Sequence, residues 1–112
     1  MGVTAGDLRR RVQVLRWNAS APDGFGGEVG EYEELGTPIP AHRADVSDGE
    51  RWHAGRLEGE LVSRFTVRAS TFTRGIRRTD RLEHEGIEYQ IDGIKEVGDG
   101  RAFLEITAWA AF

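Results

Sequence analysis

Along most of this chain apolar residues recur at every second position, the period of a half-buried strand. The cleanest case is LVSRFTVRAS, where Phe65, Val67 and Ala69 share an inward face and Arg64, Thr66 and Arg68 point outward. IEYQIDGI puts Ile87, Tyr89 and Ile91 on one face, and AFLEITAWA sets Leu104, Ile106 and Ala108 against Phe103, Thr107 and Trp109. RRVQVLRW, from Arg10 to Trp17, is apolar on both faces, with Val12 and Val14 on one and Leu15 and Trp17 on the other. Such a strand is covered on both sides, or leaves Trp17 at an edge.

Turn residues divide these segments. SAPDGFGGE carries Pro22, Asp23-Gly24 and Gly26-Gly27, and EVGEYEEL (Glu28 to Leu35) reads as a polar returning strand at an edge, which together make a long hairpin. Pro38 and Pro40 exclude a central strand at the start of TPIPAHRADV, and alternation resumes from Ala41. TRGIRRTDRL is a basic loop leading into Arg81 to His84, Glu85-Gly86 makes a tight turn, and VGDG makes another. The pattern predicts a single mainly β domain over residues 1–112: a small antiparallel β-barrel or sandwich of about six to seven strands with one long, partly helical loop insert.

That insert runs from Val46 to Leu61 and breaks the period of two. Ser47 and Glu50 form a capping box, and Asp48 and Glu50 sit at the positive end of the helix dipole. Ala54, Leu57 and Leu61 make a narrow apolar stripe, while Arg56 and Glu60 are placed to pair. Gly49, Gly55 and Gly59 oppose this helix at about 1 kcal/mol for each interior glycine. Two uses fit so weak a helix: covering the open end of the barrel, or ordering fully when a partner packs on Trp52 and Leu57.

Composition narrows the chemistry. With no cysteine among 112 residues, disulfides, thiolate catalysis and Cys-ligated zinc are excluded. No apolar run approaches the roughly 20 residues of a membrane helix, and the N-terminal stretch lacks the apolar core of a signal peptide. A net charge of −4 disfavours non-specific binding to DNA through an overall positive field. His42, His53 and His84 are scattered without metal-ligand spacing, and no nucleophile elbow, phosphate loop or dinucleotide fingerprint occurs. No enzyme, no metal site and no cofactor is therefore expected. The arginines of RGIRR (Arg74 to Arg78) suit either phosphate or an acidic neighbour, and only Phe72 is near enough in sequence to stack a base.

The ordered set GDLRRRV, DGFGGE, DGER and EYQIDGI resembles the tailed-bacteriophage head–tail joining family, the head-closure or stopper proteins, including relatives in gene transfer agents. The resemblance spans roughly Gly6 to Ala108 and implies a small β-barrel with a long loop between two strands, here Val46 through Leu61. It further implies a virion or phage-like particle component at the head–tail junction, present in the host cytoplasm before assembly. Copies would form a cyclic homo-oligomer, six-fold or twelve-fold in keeping with the family. Portal or adaptor protein would lie above it, tail or tail-terminator protein below, and double-stranded DNA would pass through the lumen unbound. The ending ITAWAAF is more apolar than the polar tail this family leads one to expect.

On this reading Asp48, Glu50, Arg51, Trp52, His53, Leu57, Glu58 and Glu60 are the residues expected to meet a partner or face the lumen. Arg74, Arg77, Arg78, Trp109 and Phe112 are the expected contacts within the ring or to an adjacent one, with core packing the alternative for Trp109. The alternative from a different class is a small-barrel nucleic-acid-binding module using the Arg74–Arg78 loop.

Overall fold

The computed structural model describes residues 4–46 and 60–111. Six strands form its body: β1 (Arg10–Pro22), β2 (Glu28–Asp45), β3 (Glu60–Arg68), β4 (Arg81–His84), β5 (Ile87–Val97) and β6 (Phe103–Ala111). All neighbours are antiparallel, and the sheet closes on itself in the order β1-β2-β3-β6-β5-β4. Closure removes the free edges of the barrel wall.

β2 departs from the expectation of two strands broken by prolines. It is one strand of 18 residues that runs through Pro38 and Pro40. Val12 pairs with Ile39 and Val14 with Leu35, so Gly36, Thr37 and Pro38 bulge opposite the single residue Gln13. Gly36 takes φ +69°, a conformation that favours glycine, and the Phe72 ring lies where its side chain would be. The buried Gln13 amide fills the gap in the ladder, its Nε2 within 3.0–3.2 Å of the Val14, Leu35 and Gly36 carbonyls. Pro40 pairs with Arg11 before β2 begins to meet β3 at Ala41, so its missing N–H breaks no ladder on that side.

The core follows the period of two more faithfully. Phe65, Val67, Leu104, Ile106 and Ala108 point inward from β3 and β6, beside Val12, Val14, Leu82 and Tyr89. Phe65 packs edge-on against both Tyr89 and His84, at ring-centre distances of 5.2 and 5.5 Å. Gln13 and Leu15 are also buried, so β1 is covered on both faces as its sequence suggests. Two positions differ from expectation. Thr66 is buried rather than outward, and Ile87 is exposed, because it follows the Glu85-Gly86 turn directly and lies beyond the reach of the core.

Strand directions give the barrel two distinct ends. One holds the β1–β2 hairpin, the loop 69–80 and the turn 98–102; the other holds residues 4–9, Val46 and Glu60 on either side of the insert, the Glu85-Gly86 turn and Ala111. The hairpin extends the molecule to 51 × 34 × 23 Å.

Candidate assembly surface

β4 stops pairing with β1 at Leu15, and β3 meets β2 only from Ala41. Beyond these points Arg16–Pro22 and Glu28–Glu34 have only each other, and they leave the barrel as a two-stranded arm. A lone hairpin is marginal in water, so the arm needs bracing at its root. Trp17 and Tyr32 face each other across the strands, edge to face at 5.4 Å, and the Arg81 guanidinium lies 4.1 Å from the centre of the Tyr32 ring. Tyr32 also donates its hydroxyl to the Thr79 carbonyl at 3.1 Å. Gly30 has no side chain to obstruct the Trp17 ring, which passes 2.9 Å from where a Cβ would stand.

The tip is ordered by its own aspartate. Asp23 Oδ1 accepts from the amides of Phe25 at 2.7 Å and Gly27 at 3.0 Å, and the Asp23 amide donates to the Gly27 carbonyl. These bonds fix a tight loop and leave the Phe25 ring 95% exposed.

The basic loop folds against the arm's root. Thr73 anchors it by donating to the Arg68 carbonyl at 2.7 Å, and Ile76 is buried in the core. Arg16 grips its far end through both carboxylate oxygens of Asp80 and donates further to the Gly75 carbonyl. Burial acts to raise the Asp80 pKa, but the Arg16 hydrogen bonds, the Arg77 amide and the two positive charges outweigh it and hold the carboxyl below its ordinary value. A groove of about 440 Å³ results, lined by Arg16, Trp17, Tyr32, Arg77, Thr79 and Asp80.

The expected site residues fall at both ends. Arg74, Arg77 and Arg78 lie exposed on the loop; Arg77 lines the groove at the arm's root, whereas Arg74 reaches Glu96 of β5 at 3.4 Å. Glu60 opens β3 and the half-buried Trp109 lies on β6 opposite Val62 and Gln90, both toward the other end. Asp48, Glu50, Arg51, Trp52, His53, Leu57, Glu58 and Phe112 lie outside the described residues. Phe72, the aromatic nearest the arginines in sequence, is laid over Gly36, while Trp17 and Tyr32 line the groove beside Arg77. Among the described residues no three metal-ligating side chains gather, and no helix is long and apolar enough to cross a membrane. The arm itself was legible only as a hairpin; its signal was the glycine-flanked Phe25.

A model of the phage head completion proteins matches residues 3–111. The chain belongs to the phage head completion family. Membership agrees with the resemblance carried by its sequence motifs and makes this head completion protein a component of a phage or phage-like particle. Two solved structures share its fold. A chain in the virion of a native gene transfer agent particle superposes with a TM-score of 0.71 at 23% identity, covering 94% of this chain and 96% of that one. A Shigella flexneri 2a protein solved in solution superposes with a TM-score of 0.70 at 22% identity, covering 96% of each. Among curated proteins none matches it in sequence.

Proposed function

We propose that this head completion protein is a non-catalytic connector at the head–tail junction. Copies assemble as a ring beneath the portal or adaptor, complete the DNA-filled head and present a surface to the tail. The family match over nearly the whole chain carries this reading. The fold supports it: a closed barrel supplies a rigid body, and its two ends differ in shape and chemistry, as a part that joins two different neighbours requires. DNA is the traveller rather than the ligand. With Asp48, Glu50, Glu58 and Glu60 toward the lumen, carboxylates would repel phosphate and let the duplex slide.

Deleting this one gene from the producing strain tests the role. Electron micrographs should show heads separate from free tails, with DNA lost from the heads. Intact tailed particles would overturn it.

A further inference from the structure

Beyond Arg16 at its root, the arm is charged in one sign only. Residues 17–34 hold five carboxylates (Asp23, Glu28, Glu31, Glu33 and Glu34) and no lysine, arginine or histidine. That exceeds the net charge of −4 for the whole chain, so the rest of the chain, Arg16 included, carries a slight positive excess. Folding does not explain the pattern. Apart from Asp23 at the tip, and Glu33, which accepts from Asn18 Nδ2 at 3.0 Å, these carboxylates make no side-chain contact that holds the arm together among the described residues. In the ladder only Glu33 stands opposite a basic residue, Arg16, while Glu28, Glu31 and Glu34 stand opposite Pro22, Asn18 and Leu15. Exposed Phe25 and Val29 add apolar surface that the chain itself does not cover.

The complement lies at the same end. Arg77 and Arg78 are exposed on the basic loop, and Arg78 has no acidic partner among the described residues. Beside them the groove offers the Trp17 and Tyr32 rings as an aromatic wall. The tip cannot fold back into its own groove. From Trp17 to Phe25 the extended strand spans about 25 Å.

We propose that the acidic arm of one copy docks on the basic loop of the next, its carboxylates facing Arg77 and Arg78 and its Phe25 lying against the aromatic wall. This rests on the ring reading and names the contact that builds the ring. Arm and groove are different surfaces, so the contact is head-to-tail and repeats around an axis until it closes. The carboxylates that attract the loop repel nucleic acid, which points the arm to protein and away from the genome.

The test places the photo-crosslinking residue p-benzoylphenylalanine at position 25, aromatic in place of aromatic, and irradiates purified particles. The expected product has twice the chain mass, with the adduct mapped to residues 72–81 of the second copy. An adduct elsewhere on a second copy overturns this contact and leaves the ring standing. An adduct on a different particle protein, or no adduct in tailed particles, overturns it as well. Absence of the unsubstituted chain from purified tailed particles would instead sink the ring reading.

A charge exchange gives an independent readout. Glu31→Arg and Arg78→Glu should each lower the yield of tailed particles by about tenfold or more, because each sets like charges opposite one another. Combined, they should restore most of it. A double variant no better than the worse single would overturn the pairing.

Discussion

Arg16 and Asp80 meet fork to fork, Nε 2.9 Å from Oδ1 and Nη2 2.8 Å from Oδ2, with the Asp80 side chain only 1% exposed. The pair ties the root of the arm to the end of the basic loop. Arg16→Met leaves the buried carboxylate with the Arg77 amide as its remaining strong donor. Stability should fall by about 3 kcal/mol, the low side of the range for breaking a buried pair because Arg16 is partly exposed. For a domain of this size the melting temperature should drop on the order of 15 °C, read by circular dichroism. A shift of a degree or two would show that water replaces the arginine.

The same pair sets an acid limit. The native Asp80 pKa is held below its unfolded value of about 3.9, so the folded state binds fewer protons through that range. The stabilisation is therefore complete above that value and is lost as pH falls through the depressed native pKa. Asp45, lowered by Arg43 and Ser63 against the opposing effect of burial, contributes with the same sign. Urea midpoints measured from about pH 5 to about pH 3 should fall more steeply for the wild type than for Asp80→Asn. Parallel curves would mean that Asp80 adds nothing to the acid transition.

Tyr89 is fully buried, and its hydroxyl has no hydrogen-bond partner among the described residues. Leaving a buried hydroxyl unsatisfied costs about 1–3 kcal/mol, so Tyr89→Phe should keep stability unchanged or raise it. The ring contact with Phe65 survives the change. A clear loss in chemical denaturation would show that a water or another part of the chain serves the hydroxyl.

Gly36 combines φ +69° with a Phe72 carbon 2.8 Å from where its Cβ would stand. Gly36→Ala should cost about 2 kcal/mol, part from the left-handed backbone and part from the clash. Adding Phe72→Leu should recover the clash but not the backbone strain. A double variant no more stable than Gly36→Ala alone would assign the whole cost to the backbone.

Local period revealed the barrel's inner faces because burial there follows the pleat. Phe65 and Val67 were legible as inward from the period alone, while on β6 the period separated Leu104, Ile106 and Ala108 from Phe103, Thr107 and Trp109 without telling which face is inner. The unity of β2 was not legible, since Pro38 and Pro40 signal a break unless one knows that three residues bulge there and that Gln13 donates to the Leu35 and Gly36 carbonyls. Ile87 obeys the period yet lies past the end of the core. Arg74, Arg77 and Arg78 stood out as a basic run, but the place of Arg77 beside the arm depends on closure between β1 and β4. Arg16 and Asp80, 64 positions apart, meet through that same closure, and nothing in their local sequences announces the pairing.

Because β2 is continuous, it acts as a tie-rod. Glu28 beside the arm's tip and Asp45 at the threshold of the insert belong to one strand, braced by β1 along most of its length and by β3 near its end. A pull on the tip travels along this backbone and loads many ladder hydrogen bonds in shear, with the bulge at residues 36–38 as the place where it can give. A tug from a neighbour at one end of the barrel is thus delivered mechanically to the chain that enters the insert at the other.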